Sequence, residues 1–217
     1  MRNTFDRFNG RHQDYQAARP SYAQEFLDWL GELYAPPERY TAADIGSGTG
    51  KLSAQLLAAG FRVCGVEPNP DMRGAAEALL GGDPRFSSSN GTDHDTGLPD
   101  RSVDMVAAAQ AFHWFDGPAF ARECRRILRP GGRAVLVWNV RGPAPVNQAL
   151  AQVFREHCPS FHGFTGGMGE DDPCIRDFFG GAYEKRRFPN PLTLDRDRFL
   201  RRCFSSSYAL REGDADY

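Results

Sequence analysis

Short apolar segments alternate with helix-like segments along residues 40–140, and no other feature of this sequence constrains the fold as strongly. The apolar segments have the length of buried strands, and the segments between them repeat apolar side chains at helical spacing. This order is typical of βαβ units, which build a parallel sheet covered by helices. The sequence therefore predicts an α/β fold with a doubly wound, mostly parallel sheet. The candidate strands are 40–45, 61–66, 85–89, 103–109 and 133–140, and the candidate helices are 51–59, 69–80 and 120–128.

The pattern loosens beyond Pro143. Residues 146–157 and 195–203 are predicted to form helices, and residues 161–172 are rich in glycine, which is typical of a mobile covering loop. Residues 183–188 are predicted to form an edge strand. With that segment the predicted sheet has six strands.

Charge and hydrophobic content exclude several classes of protein. The 217 residues carry 26 Lys and Arg against 28 Asp and Glu, a net charge of −2, so no basic field attracts nucleic acid or an anionic membrane. Hydrophobic residues make up 41% of the chain, which is enough to fill a core and excludes general disorder. The sequence has no apolar run of membrane-spanning length and no signal-peptide core. We therefore expect a cytoplasmic protein that binds neither nucleic acid nor membranes.

The five cysteines are scattered along the chain and form no C-x-x-C pair. Their spacing supports neither a zinc site nor a redox motif, so free thiols are expected. His113 and Asp116 lie close together in the sequence, but two ligands alone do not make a metal site. No metal is expected.

A glycine-rich turn, ADIGSGTGK from Ala43 to Lys51, lies between a predicted strand and a predicted helix. Such a turn lets a ligand approach the backbone closely at the carboxyl end of the first strand. A phosphate loop requires G-x-x-x-x-G-K-[ST], and Ile45 and Leu52 break that pattern. A dinucleotide turn requires G-x-G-x-x-G, and the third glycine comes one residue early, which weakens that hypothesis but leaves it open. In D-x-G-x-G-x-G, Asp44 precedes the glycines and favours a cationic ligand over a pyrophosphate.

With Asp44 followed by Gly46, Gly48 and Gly50, the sequence resembles the class I S-adenosylmethionine-dependent methyltransferases. It resembles especially the small-molecule branch labelled methyltransferase type 11-like, and the resemblance extends from residue 5 to residue 217. It implies a Rossmann-like methyltransferase fold with S-adenosyl-L-methionine as cofactor and S-adenosyl-L-homocysteine as product. It also implies that the three glycines wrap the methionine moiety and that Asp44 holds its ammonium group.

Glu67 ends the second predicted strand, 21 residues after Gly46. This offset is close to the roughly 20 residues expected for an acid that binds ribose hydroxyls. The resemblance therefore implies that Glu67, with Pro68 beside it, binds the cofactor ribose. A surface glutamate after a strand is the alternative.

Two further segments carry the resemblance, GTDH at residues 91–94 and AQAFHWFD at residues 109–116. The first departs from the Gly-Thr-Ala-Glu-like stretch of the family, and Asp93 is the candidate acceptor for the adenine amino group. The second follows a predicted strand and supplies Gln110 and Trp114 as cofactor-binding candidates. His113 is a candidate general base, because its ordinary pKa lies near neutrality; the alternative is a histidine that shapes the pocket.

The N-terminal segment FNG…Y…RPSY at residues 8–22 also resembles that branch, in which it folds over the cofactor pocket. Tyr15 and Arg19 are candidate substrate-binding residues, because a guanidinium suits a carboxylate. The alternative for Arg19 is a role in holding the segment to the domain. We expect one methyltransferase domain at 1–217, with an arm at 1–30, a cofactor-binding core at 31–140 and a substrate-covering region at 141–217.

The family pattern has seven strands, the last antiparallel and inserted between the fifth and the sixth. Its last helix and strand have no counterpart before Tyr217, so we expect that strand to be missing or rearranged. The predicted strand at 183–188 would then keep an unpaired edge, through which the chain would dimerise. A monomer and a homodimer are therefore both open.

The function expected from these observations is methyl transfer from S-adenosylmethionine to a small molecule that bears a carboxylate or a hydroxyl. Two alternatives stay open. One is a nicotinamide-dependent oxidoreductase on a related sheet, and the other is a non-catalytic cofactor-binding module.

Overall fold

The alternating segments form one five-stranded sheet. A computed structural model describes residues 20–164, 168–169, 171–204, 206 and 208–210. The strands are β1 (Thr41–Ile45), β2 (Arg62–Val66), β3 (Phe86–Ser89), β4 (Val103–Ala109) and β5 (Leu128–Val137). The α-helices in these residues are α1 (Gln24–Leu33), α2 (Lys51–Ala58), α3 (Pro70–Leu80), α4 (Gly117–Ile127), α5 (Pro145–His157), α6 (Pro173–Phe178) and α7 (Arg196–Phe204), with 3-10 helices at Pro37–Arg39 and Phe112–Trp114. None of these helices is long and apolar enough to cross a bilayer.

The sheet is parallel throughout, with the strand order β3-β2-β1-β4-β5. β1 is central, and its Ala43 pairs with Cys64 of β2 on one side and with Val106 of β4 on the other. The chain first builds outward from β1 to β3 and then crosses back to β4, so the strand order reverses between β1 and β4. At such a switch point the connections diverge and leave a crevice at the carboxyl ends of the strands. The doubly wound α/β fold class is confirmed.

Alternate residues of the central strands pack against helices on opposite faces of the sheet. Ala43 and Ile45 belong to a buried cluster that includes Phe120 of α4. Ala42, which directly precedes Ala43 in β1, belongs to a second cluster that includes Leu30 of α1 and Leu56 of α2. Because successive side chains of a strand point to opposite faces, each central strand contributes to both clusters and is buried on both sides.

Side-chain caps begin the two helices that follow β2 and the Phe112–Trp114 turn. The Asn69 side chain accepts a hydrogen bond from the backbone N of Met72 at 3.0 Å, and Pro70 is the first residue of α3. The Asp116 side chain accepts from the backbone N of Ala119 at 3.0 Å and caps α4 in the same way. The helix starts are therefore encoded locally.

The expected edge strand at residues 183–188 is wrong. This segment has no regular secondary structure and pairs with no strand, and in the described ranges no strand follows Val137. Phe188 instead packs on the rings of Phe26 and Trp29 of α1, at centroid distances of 5.9 and 6.0 Å. Phe188 is thus half-buried against a helix, and Tyr183 is exposed and stacks on Phe179, so the sheet has five strands rather than six among the described residues. Because the segment forms no strand, it offers no sheet edge for the dimer contact that was expected there.

Candidate functional site

A cleft opens at the carboxyl ends of β1 and β4, where the strand order reverses. One side is formed by the glycine turn and the start of α2, and the opposite side by the ends of β4 and β5. Pro20 and Tyr22 line the cleft from the segment before α1, and Arg202 lines it from α7. The cleft therefore gathers residues from both ends of the described chain around the switch point.

The glycine turn after β1 is tied to the end of β2. The backbone N atoms of Gly46 and Ser47 both donate to the carbonyl oxygen of Val66, at 2.9 and 3.1 Å. Gly46 has φ +68°, and a Cβ there would lie 2.8 Å from Cβ of Ala111, so this glycine is required for packing. Gly48 has φ +56°, and a Cβ there would meet no protein atom within 4 Å. Gly48 lines the cleft and leaves its backbone open to a ligand.

The third glycine, Gly50, does not line the cleft in the described residues. Its φ is +79°, and a Cβ there would lie 2.8 Å from Cδ1 of Leu80 at the end of α3. Gly50 therefore allows the turn to pass close to α3 before α2 begins at Lys51.

Asp44, the last residue but one of β1, presents a buried carboxylate to the cleft; only 1% of the residue is exposed. Its Oδ2 accepts a hydrogen bond from Oγ of Ser53 at 2.7 Å, whereas Oδ1 has no hydrogen-bond partner among the described residues. Burial raises the pKa of Asp44 to about 6, although the Ser53 bonds favour the ionised form. Because an unpaired buried acceptor is costly, a ligand donor or cation at Oδ1 would stabilise this arrangement.

Glu67, directly after β2, holds the glycine turn in place. Its Oε2 accepts from the backbone N of Gly48 and its Oε1 from the backbone N of Asn69, both at 2.9 Å. Burial raises the pKa of Glu67, partly offset by these two bonds. Glu67 is not among the residues that line the cleft, but it lies directly behind Gly48. Each carboxylate oxygen accepts up to two bonds, so acceptor capacity remains for a ligand.

Pro68 and Asp93 also hold the surrounding loops. The carbonyl oxygen of Pro68 accepts from Nη1 of Arg73 at 3.3 Å. The Asp93 side chain accepts from the backbone N of Asp116 at 3.0 Å and lies 3.1 Å from Nδ1 of His94. Neither residue lines the cleft. Asp93 connects the loop after β3 to the start of α4.

Gln110, the first residue after β4, lines the cleft in an unusual backbone conformation. Its φ is +56°, which is uncommon for a residue other than glycine. Its backbone N donates to the carbonyl of Val137 at 2.8 Å, and its side-chain Nε2 donates to the carbonyl of Asn139 at 3.2 Å. These bonds hold the strained residue, and such strain is concentrated at functional sites.

His113 and Trp114 occupy the 3-10 helix that follows, with ring centroids 4.8 Å apart. Neither lines the cleft, and Trp114 is 36% exposed. Tyr15 and Arg19, the predicted substrate-binding residues, lie outside the described residues. Of the residues predicted from the sequence, the structure therefore brings Asp44, Gly46, Gly48 and Gln110 into the cleft.

The segment before α1 is fixed from two sides. The backbone N of Tyr22 donates to Oε1 of Gln55 at 2.9 Å, and Nε2 of Gln55 donates back to the carbonyl of Tyr22 at 3.0 Å. The carbonyl of Ser21 accepts from Nδ2 of Asn190 at 2.8 Å and from Nδ2 of Asn139 at 3.3 Å. These bonds hold Pro20 and Tyr22 at the mouth of the cleft.

Five polar residues that line the cleft were not among the candidates predicted from the sequence: Tyr22, Ser47, Lys51, Asn139 and Arg202. Lys51 follows the glycine turn directly, and Asn139 lies just beyond the end of β5, so position alone marks both of them. Burial lowers the pKa of Lys51. Arg202 lies far along the chain on α7, and no local signal points to it.

These features fit a ligand with a cationic group more closely than a pyrophosphate. The buried carboxylate of Asp44 would repel phosphate and attract an ammonium. The open side of Gly48 leaves room for a ligand against the backbone. Among the described residues no group of His, Cys, Asp or Glu is arranged to hold a metal ion.

Comparisons with known proteins agree with this geometry. The family described as methyltransferase domain, type 11, matches residues 43–136. An uncharacterised methyltransferase of Mycobacterium tuberculosis is 42% identical over 127 residues, which cover 58% of this chain and 49% of the relative. The chain thus spans about half the length of these curated relatives.

Two solved structures extend the likeness over most of the chain. A structure of a type II methyltransferase from Anaeromyxobacter dehalogenans is 31% identical with a TM-score of 0.58, and the match covers 88% of this chain and 79% of that one. A structure from Methanococcus maripaludis, named as an S-adenosyl-L-methionine-dependent methyltransferase, is 20% identical with a TM-score of 0.59 and coverages of 83% and 85%. The second likeness shows the fold alone.

Proposed function

Because the chain belongs to the class I S-adenosylmethionine-dependent methyltransferases of the type 11 branch, we propose that it transfers a methyl group from S-adenosylmethionine to a small molecule. The acceptor in this proposal bears a carboxylate or a hydroxyl. The observation that carries the proposal is the Oδ1 atom of Asp44, a buried acceptor without a partner among the described residues, at the cleft behind the glycine turn. The ammonium group of the cofactor satisfies this atom.

The remaining cofactor contacts follow from the order of elements around the cleft. Gly46 and Gly48 lie against the methionine moiety, and Gly50 shapes the same turn by passing close to α3. The spare acceptor capacity of Glu67, with Pro68 beside it, receives the ribose hydroxyls. Asp93, Gln110 and Trp114 follow the next strands of the sheet and border the adenine side.

Bound S-adenosylmethionine supplies a methyl group on a positive sulfur, so that acceptor attack forms a bond to the methyl carbon while the carbon–sulfur bond breaks and its electron pair stays on sulfur. The chain contributes by holding the acceptor in line, which is worth roughly 7–11 kcal/mol in well-oriented reactions. It also contributes by excluding water from the acceptor. A carboxylate acceptor needs no base, whereas a hydroxyl acceptor would use His113 as proton acceptor.

We further infer that residues 1–217 form one cytoplasmic methyltransferase domain, a monomer or a homodimer. Of the expected arm at residues 1–30, the part before α1 covers the pocket in this proposal and its Tyr15 and Arg19 contact the acceptor, whereas α1 packs on the sheet. Residues 31–140 bind the cofactor, and residues 141–217 cover the acceptor. The positions of Pro20, Tyr22 and Arg202 at the cleft support this division.

The role of Asp44 is tested with two ligands that differ only in the amino-acid part. S-adenosylhomocysteine carries the ammonium, whereas 5′-methylthioadenosine keeps the adenosine and the thioether and lacks it. The isosteric substitution Asp44→Asn should weaken the binding of S-adenosylhomocysteine at least about tenfold, because a charge-assisted hydrogen bond worth roughly 1.5–3 kcal/mol is lost. It should change the dissociation constant of 5′-methylthioadenosine by no more than about twofold.

Isothermal titration calorimetry measures both dissociation constants, and Ser53→Ala is the matched control. Ser53 is buried and bonded to the other oxygen of the carboxylate, so the control perturbs the same position without removing its charge. Equal losses for the two ligands in Asp44→Asn would place the ammonium elsewhere.

A further inference from the structure

Residues 20–22, which we call the strap, cross the mouth of the cleft and are attached at two places. Pro20 and Tyr22 of the strap line the cleft. At one end, the backbone of Tyr22 and the side chain of Gln55 exchange two hydrogen bonds that are partly buried. The Tyr22 ring also packs edge-on against Phe26 of α1, with a centroid distance of 6.5 Å. This end of the strap is therefore fixed to both α1 and α2.

The other attachment is at the carbonyl oxygen of Ser21, whose partners lie far along the chain. Asn190 donates through Nδ2 to this oxygen and to Oδ1 of Asn139, both at 2.8 Å. Asn139 in turn donates through Nδ2 to the same carbonyl of Ser21 at 3.3 Å. Because a carbonyl oxygen can only accept, it determines which way both amide groups point. These three hydrogen bonds, which we call the latch, are all exposed to solvent.

Asn190 belongs to a stiff piece of chain. It lies between Pro189 and Pro191, and each proline fixes its own φ and restricts the residue before it. Two residues earlier, Phe188 packs on two aromatic rings of α1, at centroid distances of 5.9 and 6.0 Å. The Asn190 side chain is therefore preorganised, and its bonds cost less entropy than those of an amide on a flexible loop.

Asn139 connects the latch with the interior of the cleft. It lines the cleft, and its backbone carbonyl accepts a hydrogen bond from Nε2 of Gln110, which lines the cleft as well. A ligand that fills the cleft therefore lies against the strap and against Asn139 at once. Its contacts with the two sides add to the bonds of the latch, so an occupied cleft favours the closed strap.

We propose that Asn190 is a positioning residue that closes the strap over the occupied cleft, and that ligands enter and leave when the latch opens. Asn190 does not line the cleft itself and acts through Ser21 and Asn139. Exposed hydrogen bonds open more readily than buried ones, so the latch opens while the Gln55 end stays attached. The inference rests on the proposed function for its ligand and adds control of ligand exchange to that site.

Surface plasmon resonance of the full chain with S-adenosylhomocysteine measures the association and dissociation rate constants separately. The isosteric substitution Asn190→Asp places a carboxylate oxygen against the Ser21 carbonyl, and neither of these atoms can donate a hydrogen bond. We expect both rate constants to rise at least about threefold, because opening of the strap limits entry and exit alike. The dissociation constant, which is their ratio, should change by no more than about threefold. Asn190→Ala should act in the same direction.

Asn147→Asp is the matched control. Asn147 also donates its side-chain amide to a backbone carbonyl, that of Gly142 at 2.9 Å, and it does not line the cleft. This variant should leave both rate constants unchanged, and thermal unfolding shows whether each variant keeps its fold. General damage to the site would speed dissociation without speeding association, so a rise in both rate constants is specific to the latch.

Two results would overturn the role of Asn190. One is a dissociation rate constant that Asn190→Asp and Asn190→Ala leave unchanged, and the other is faster dissociation without faster association. Absence of S-adenosylhomocysteine binding to the unmodified chain would instead refute the proposed function. Limited proteolysis of the ligand-free chain then tests the latch by itself. Cleavage near residues 20–23 should be several-fold faster in Asn190→Asp than in Asn147→Asp, and equal rates would contradict the latch.

Discussion

At the scale of single residues, the glycines of the turn serve two different purposes, close packing and access for a ligand. Their spacing in the sequence does not distinguish the two. Gly46 and Gly50 are close to Ala111 and Leu80, so packing requires them, whereas Gly48 faces open space and is available to a ligand. The two carboxylate oxygens of Asp44, which precedes the turn, also differ in their surroundings. One oxygen of Asp44 is bonded to Ser53, and the other has no partner among the described residues.

The raised pKa of Asp44 predicts a particular dependence of stability on pH. Its pKa in the folded chain is about 6, against 3.8 for an ordinary aspartate, so the folded state binds the proton more tightly than the unfolded state. This contribution to stability is complete below the ordinary pKa and is lost as the pH rises through about 6. Its size is on the order of 3 kcal/mol at most.

Denaturant unfolding of the unmodified chain and of Asp44→Asn between pH 4 and pH 7 measures this contribution. We expect the variant to gain stability relative to the unmodified chain as the pH rises. The buried Glu67 carboxyl, whose pKa is also raised by burial, is present in both proteins, so its burial cancels in the difference, whereas its repulsion of Asp44 is part of what the difference measures. A difference that stays constant over this range would contradict an ionisable, buried Asp44.

At the scale of elements, the sequence predicts the sheet core well because its signals are local. The strands β1, β2 and β4 are apolar runs bounded by turns, and Asn69-Pro70 marks the start of α3 through its own side chain. The segment 183–188 misleads because its Phe188 packs on Phe26 and Trp29 of α1 instead of on a neighbouring strand. The local pattern therefore identifies apolar residues without identifying the element that they pack against.

The clasp between Gln55 of α2 and Tyr22 predicts a second measurable effect. Gln55→Ala removes two hydrogen bonds, each worth about 1 kcal/mol, that hold the segment before α1 at the cleft. We expect limited proteolysis to cut near residues 20–23 several-fold faster, with little change elsewhere. Gln152→Ala is the control, since that exposed glutamine bonds only Glu156 on its own helix among the described contacts. Equal cleavage rates in the two variants would show that the clasp does not hold the segment.

At the scale of the whole molecule, the site depends on parts of the chain that are distant in sequence. Asp44 and the glycines were predictable, because the turn after the first strand of an α/β sheet lies at the ligand-binding edge whatever path the rest of the chain takes. Arg202 was not, because its position depends on how α5, α7 and Tyr208 pack together. The two backbone bonds of Glu67 were also not predictable, since they require the β1 and β2 turns to meet in space.

The central claim is that the cleft at the strand reversal binds the methyltransferase cofactor. Isothermal titration calorimetry of the unmodified chain with S-adenosylhomocysteine and, separately, with NAD tests it most directly. We expect one S-adenosylhomocysteine per chain and no measurable binding of NAD, because the buried Asp44 carboxylate attracts an ammonium and repels a pyrophosphate. Binding of NAD in preference, or of neither ligand, would contradict it.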